Sequence, residues 1–571
     1  MSAIEIYLPR TQIAYFSMEI ALRPDVHTYA GGLGILAGDV ARSAADLELP
    51  MVFVTLASRH GYLRQEIDPQ GGQIDHPDPW DPSASTVPLP AMVAVPIEGR
   101  EVWLRPWLYE LASPLGNTVP VILLDTHVDQ NEPRDRTISD RLYSGDEADR
   151  LKQEIVLGIG GDRILRALGF TVETYHLNEG HAALLPISLL RRHLRDFAGA
   201  PLEPGPYDID PVRRRCVFTT HTSVEAGHDR FAYEDVTRIL GDFVELDVLK
   251  LLGGTDRLNM TRLALNLSGY VNGVAHRHAE TTRRLFPGYR VRAITNGVHV
   301  EHWAHPAFAR LFRDIFPHWS HEPEVLSHAD QIDDEAIWRA HLEAKGHLIA
   351  FVKTRTGIAL DPDLPVIGFA RRMTGYKRPS LLFTDMARLS AVHRRFPFQI
   401  VVAGKAHPQD EGGKALIREI IEHSRQADGV PTVFLPNYGM EEAQAFVAGT
   451  DIWLNTPLPP LEASGTSGMK AAINGVLNLS VLDGWWVEAC EEGITGWSVE
   501  HRPDGTPQDN ARVLYEKLEG VILPLYAQQR PRWIWMMKQA ISKIGPIFNS
   551  QRMMRRYASE AYLRSKMPSS V

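Results

Sequence analysis

Short apolar runs, most of them rich in β-branched residues, recur along the first half of the chain at residues 13–16, 51–56, 119–124, 216–220 and 291–295. A second set follows at 366–370, 400–403, 433–435, 452–454 and 477–482. Between them lie longer stretches with apolar residues at helical spacing. Runs that are apolar throughout are buried on both faces, and intervening helices supply the cover. The pattern predicts an α/β protein built on parallel, doubly wound sheets. A hinge is expected after Ile294-Thr295-Asn296-Gly297, and a polar stretch at 318–334 precedes the second set of runs. The expected organisation is therefore two Rossmann-like halves, 1–297 and 298–571, facing each other across a cleft. The stretch from about residue 531 reads as amphipathic helix, with Trp533, Trp535, Met553 and Tyr557, expected to pack back across that cleft.

Composition narrows the function. At 571 residues the chain is too long for one core, which agrees with two halves. A formal net charge of −10 argues against a protein whose main partner is nucleic acid or an acidic membrane. No run reaches the roughly 18–20 apolar residues of a membrane span. The first residues carry an acid and no uninterrupted apolar stretch, so no signal peptide is expected. Cys216 and Cys490 stand alone, without metal or redox spacing, as buried thiols of a reducing compartment would. The expectation is a cytoplasmic enzyme.

Several loops carry chemistry. Tyr29-Ala-Gly-Gly-Leu-Gly precedes a helical pattern, so the backbone at Gly31 and Gly32 can approach an anion at a helix start. Gly32, Gly34 and Ala37 fit the G-x-G-x-x-A dinucleotide pattern, but no clear strand precedes them and no acid follows at the required distance. A phosphate loop and a packing turn both fit. Arg371-Arg372-Met-Thr-Gly-Tyr-Lys377-Arg378 follows directly on the run 366–370. Four cations at a strand end are costly unless an anion lies among them. Glu462-Ala463-Ser464-Gly465-Thr466-Ser-Gly-Met-Lys470 offers amides and hydroxyls to a phosphate. Lys470 is placed either to condense with an aldehyde cofactor or to bind phosphate as a point charge. The segments around His176, His181, His221 and His228, and the pair His276 and His278, lack the spacing of a zinc site. They suit a sugar cleft better, and no metal is expected.

These segments, in this order, resemble the glycogen/maltodextrin phosphorylase family. The resemblance is carried by Gly31 to Gly34, Arg150-Leu-Lys-Gln-Glu154, His221-Thr222, Thr295-Asn296-Gly297 with Trp303, and Arg371 to Arg378. It continues through Gly404-Lys405-Ala406, Asn437-Tyr438, Glu462 to Lys470 and Phe548 to Arg552, and so spans nearly the whole chain. It implies the GT-B glycosyltransferase fold and reversible phosphorolysis of terminal α-1,4-glucosidic bonds of maltodextrin or glycogen. Inorganic phosphate is the second substrate, and α-glucose 1-phosphate forms with retention. It implies pyridoxal 5′-phosphate as cofactor, held by Lys470, with Arg371, Gly465 and Thr466 on its phosphate and Tyr438 and Trp303 beside it. Arg372, Lys377 and the Gly32 amide match binders of the substrate phosphate. His221, Asn296, Glu462, Ala463, Ser464 and Gly465, with Gly31, match contacts to the glucosyl unit. A homodimer is the family expectation.

The chain departs from long family members at Ala21, Ala30 and Gly439, which stand where those carry tyrosine, asparagine and arginine. The match begins near residue 13, so their phosphorylated extension and nucleotide control are not expected. The alternatives are phosphorolysis of another α-glucoside, or nucleotide-sugar transfer of the glycogen synthase type, against which Lys470 argues.

Overall fold

A computed structural model describes residues 3–143, 145–194, 206–426 and 429–563; the outermost residues of both expected halves, 1–2 and 564–571, lie outside the described residues. Two sheets dominate. The first runs, edge to edge, Arg292–Ala293, Tyr270–Gly273, Cys216–Thr219, Thr174–Asn178, Ile13–Ser17, Met51–Leu56 and Thr118–Asp125, all parallel. It ends in the antiparallel strands Arg100–Ala112 and Val87–Pro88, with Val93–Ile97 pairing Arg100–Ala112.

The second sheet is wholly parallel: Thr432–Leu435, Gln399–Ala403, Val366–Ala370, Ile452–Asn455, Leu477–Val481 and Gly496–Val499. Numbered in chain order, its strands lie 3-2-1-4-5-6, and the parallel strands of the first sheet begin in the same order. In such sheets the chain reverses direction beside the first strand, and the carboxyl ends there open a crevice for ligands. Those points fall between Ile13–Ser17 and Thr174–Asn178 in one sheet, and between Val366–Ala370 and Ile452–Asn455 in the other.

Some expectations need correction. The run 291–295 contributes only Arg292–Ala293, because Thr295 and Asn296 already leave the sheet edge towards the other half. Thr174–Asn178, Tyr270–Gly273 and Gly496–Val499 do not stand out as apolar runs, since each mixes buried polar residues or glycine with its apolar ones. The last stretch forms two helices, Arg530–Ile544 and Ser550–Tyr557, parted at Gly545-Pro546, where proline cannot donate to the helical ladder.

These two helices serve different cores. Trp533, Met537 and Ile541 join the apolar cluster around the second sheet. Met553, Met554 and Tyr557 join Phe53 and Val121 of the first sheet. The two crossing segments are bonded side by side: Val298 donates to the Phe548 carbonyl at 3.0 Å, and Ser550 to the Val298 carbonyl at 2.9 Å. A Cβ on Gly297 would lie 2.1 Å from the Asn549 oxygen, so only glycine fits where the two segments touch.

At the opposite side of the cleft the hairpin Arg64–Ile67/Gln73–His76 clasps the second sheet. Gln65 and Asn437 exchange backbone-to-side-chain bonds of 3.0 and 2.8 Å, and Gln73 and Ala406 exchange two of 3.0 Å. The halves are thus tied at two places, with the cleft between.

Candidate active site

The carboxyl ends of both sheets open on a cleft of about 1520 Å³ whose lining contains every residue matched above to cofactor or substrate. Its second-sheet wall is built from two loops. Arg371 follows the strand Val366–Ala370, and Glu462 to Thr466 follow Ile452–Asn455. Glu462 is buried, and its Oε2 accepts from Arg371 at 2.6 Å and from Lys377 at 2.6 Å. Burial alone would raise its pKa, but the Arg371 and Lys377 charges outweigh that and hold it down to about 2. The loop is fixed from behind, where Asp483 accepts the Glu462 N–H at 2.9 Å.

This wall has more cation than it neutralises. Arg371 Nη1 is buried without a hydrogen-bond partner among the described residues, and so is the Ser464 hydroxyl oxygen. Arg372 is exposed to the cleft and makes no hydrogen bond or ion pair with the described residues. Gly465 takes φ +91, a conformation that side chains resist, and turns the loop into Thr466 at the start of the helix Ser467–Ile473.

Lys470, on that helix, is buried, and its ammonium makes no hydrogen bond or ion pair among the described residues. Its ammonium sits 3.8 Å over the Trp303 ring. Burial, reinforced by Arg42 and opposed by Asp39, lowers its pKa to about 8, so a usable fraction is free amine near neutrality. Trp303 is itself pinned, its Nε1 donating to Asp39 at 2.9 Å and its carbonyl accepting from Asn474 at 2.9 Å. Tyr438 flanks the same region, its ring packed edge-on against Phe446.

The first-sheet wall is assembled differently. Gly31 caps the helix Gly32–Asp46, and a Cβ at Gly31 or Gly32 would meet nothing within 4 Å. Their bareness therefore leaves room for a ligand rather than relieving a clash. Glu19 holds the loop, its Oε2 accepting from Ala30 N at 2.5 Å and Gly31 N at 3.0 Å. The Gly31 amide is thus occupied by Glu19. Gly34 and Gly38 are packing glycines, since a Cβ would press on Glu19 at 2.6 Å or on the Ala21 oxygen at 2.1 Å.

His221 Nε2 meets Asn178 Oδ1 at 2.7 Å, and Asn178 is itself fixed by its amide bond to Ser17 at 3.0 Å. Burial lowers the His221 pKa to about 4, against the pull of Glu179, so the ring is neutral at pH 7. With Nε2 donating to Asn178, Nδ1 is left as an acceptor. The Asn296 side-chain oxygen is buried and unpartnered beside the cleft. His276 is exposed at the start of its helix, whereas His278 is buried and accepts the Val274 N–H at 3.1 Å.

Sequence reasoning missed Glu19 and Asp229 as wall residues and took in Glu179 only as part of the histidine segment 176–181. Glu179 adopts φ +73, strained for a side-chain-bearing residue, and its carboxylate accepts the His221 N–H at 2.7 Å and the Thr222 hydroxyl at 3.0 Å. Its place, directly after the strand Thr174–Asn178, was the available signal.

Twin doubly wound sheets meeting at a cleft with a cation-rich wall and a buried lysine, its ammonium unpaired among the described residues, mark the class: a GT-B type glycosyltransferase. Similarity to known proteins narrows it further. The chain belongs to the carbohydrate phosphorylase family, which it matches over residues 176–495. It is 40% identical to the maltodextrin phosphorylase of Thermococcus litoralis over 97% of this chain and 70% of that one. It is 34% identical to the glycogen phosphorylase of Aquifex aeolicus, covering 96% of this chain and 86% of the other. An uncharacterised protein of Methanocaldococcus jannaschii is 31% identical over 96% of this chain and 99% of its own length. Among the described residues no helix is long and apolar enough to cross a membrane.

Proposed function

We propose that this enzyme is an α-glucan phosphorylase that cleaves terminal α-1,4-glucosidic bonds of maltodextrin or glycogen with inorganic phosphate, releasing α-glucose 1-phosphate. The observation that carries the reading is the pairing of an unsatisfied anion wall with Lys470, an unpaired buried lysine. A nucleotide-sugar transferase would need the cations but not that lysine.

Pyridoxal 5′-phosphate fits the second-sheet wall. Lys470, beside Trp303, would hold it, while Arg371 Nη1 and the Gly465–Thr466 turn would offer donors to its phosphate. When bound, the cofactor would supply a phosphate group that exchanges protons with the substrate phosphate near neutral pH.

The chain's own residues do the rest. Arg372 and Lys377 offset the repulsion of neighbouring anions, which would otherwise keep phosphate out. Glu462 spends only Oε2 on its cations, so Oε1 is free to accept a sugar hydroxyl. Neutral His221 offers Nδ1 to another. The clasp at Gln65 and the crossing segments hold the walls together, which limits water and favours phosphate over hydrolysis. In this reading residues 1–297 form the glucan-side lobe and 298–571 the cofactor-side lobe of a cytoplasmic homodimer.

The test is to incubate the protein with maltoheptaose and phosphate, with and without added pyridoxal phosphate, beside Lys470→Ala. Glucose 1-phosphate from the wild type alone, dependent on phosphate, is the expected result. Cofactor binding without product would shift the reading to another α-glucoside. Neither cofactor nor product, with transfer from a nucleotide sugar instead, would overturn it.

A further inference from the structure

Beneath the first-sheet wall lies a pair of carboxyl groups that the proposed chemistry does not use. Glu154, on the helix Glu147–Ile155, is fully buried, and neither of its oxygens accepts a hydrogen bond from the described residues. Its nearest cation, Arg150 Nε, stands 3.7 Å from Oε1. Above it Asp229 faces the cleft, with Oδ2 against Arg150 Nε at 3.4 Å and His181 Nε2 at 3.3 Å. The two carboxyl groups also lie within hydrogen-bonding reach of each other.

Charge arithmetic fixes the protonation of the pair. Among the described residues Arg150 is the one permanent cation in contact with either carboxyl, and it cannot neutralise two buried anions. Burial pushes Glu154 well above the usual carboxylate range, and the Asp229 charge adds to that. Asp229 moves the other way: burial opposes it, but His181 and Arg150 hold it ionised. The environment therefore favours keeping the proton of the pair on Glu154, within reach of Asp229. The pair is framed by Tyr143, whose ring carries the Arg150 guanidinium 4.3 Å from its centre and whose hydroxyl donates to Glu19 at 2.8 Å.

Position along the cleft says what Asp229 meets. Glu462 and Lys470, at the closed end, are buried, whereas Asp229 is 24% exposed and its neighbours Arg257 and Glu147 are 43% and 62% exposed. Asp229 lines the same cleft as Glu462 and Lys470 but on its more exposed side, where a glucan running outward from the closed end can meet it. An ionised carboxylate there accepts sugar hydroxyls and repels phosphate, the reverse of the opposite wall.

We propose that Asp229 is a specificity residue that accepts hydroxyl hydrogen bonds from the glucan unit on the departing side of the scissile bond, and that Glu154, donating to it from below, is the residue that positions it. This rests on the phosphorylase reading. The experiment measures phosphorolysis of maltoheptaose by Asp229→Asn, Asp229→Ser, Glu154→Gln and Glu154→Leu, with KM determined separately for glucan and phosphate. Both Asp229 variants should raise the glucan KM about tenfold or more while the phosphate KM stays within about twofold, as expected for a lost charged hydrogen bond to one substrate. Glu154→Gln, which keeps a donor, should behave as wild type with an unaltered pH profile, and Glu154→Leu should reproduce the Asp229 defect. If Glu154→Leu does not fold, Glu154→Gln decides: a glucan KM raised as in Asp229→Asn would overturn the positioning role. An unchanged glucan KM in both Asp229 variants, with an active wild type, would overturn the specificity role. A wild type that makes no glucose 1-phosphate would instead remove the phosphorylase reading itself.

Discussion

The two walls of the cleft solve opposite electrostatic problems. The second-sheet wall gathers Arg371, Arg372, Lys377 and Lys470 around a single carboxylate, Glu462, and leaves donors unspent. The first-sheet wall gathers Glu19, Glu179, Asp229 and Glu154 around one arginine, and Glu19 and Glu179 spend acceptors on backbone N–H groups. One wall is incomplete until an anion arrives; the other is largely self-satisfied and presents a few fixed acceptors. The difference teaches that a single cleft can hold an anion and a neutral polyol side by side without either occupying the other's place.

The comparison can be broken most severely at Lys470. Lys470→Ala should cut phosphorolysis by about a thousandfold or more, as losing a cofactor anchor does, while circular dichroism stays native. Glu462→Gln should strip the buried cations of their counter-charge and lower stability by about 3 kcal/mol in the absence of phosphate. Added phosphate should return part of that loss in a thermal melt. The Glu462 pKa is depressed when folded, so its stabilisation is complete above about pH 4.5, its ordinary value, and fades as pH falls towards about 2. The stability gap between wild type and Glu462→Gln in urea should therefore narrow across that window; a constant gap would contradict the ion-pair account.

Gly32→Ala tests the opposite wall more gently. Its Cβ meets no atom of the chain, so the melting temperature should hold while kcat/KM falls about tenfold, because the new methyl occupies ligand space. Gln65→Ala should have the smallest effect, about 1 kcal/mol of stability from the loosened clasp, together with a measurable rise in glucose released by hydrolysis.

The walls also differ in how far the sequence discloses them. Arg371 to Arg378 and Glu462 to Lys470 are contiguous loops, each following an apolar strand, so residue type and chain position are enough to point to an anion site. The first-sheet wall draws Glu19, Tyr143, Arg150, Glu179, His221 and Asp229 from separate segments. No local pattern links them; tertiary packing does. The strand leading to Glu179 is itself obscured by His176 and the polar residues at its ends, and φ +73 at Glu179 has no signature in composition. Glu154 does leave a trace, since Leu151, Glu154 and Ile155 share the i, i+3, i+4 face that the helix buries. The doubly wound architecture is readable from fully apolar runs, whereas Thr174–Asn178, Tyr270–Gly273 and Gly496–Val499 are not, because buried polar residues and glycines interrupt their apolar signal.

The measurement that bears most directly on the anion wall is the phosphate KM of Arg372→Gln. Arg372 is exposed to the cleft and bonded to nothing among the described residues, so its loss should leave the melting temperature unchanged. The account predicts a phosphate KM raised about ten- to a hundredfold, the worth of one charge-assisted hydrogen bond, with the maltoheptaose KM within about twofold. An unchanged phosphate KM, or an equal rise for both substrates, would contradict it.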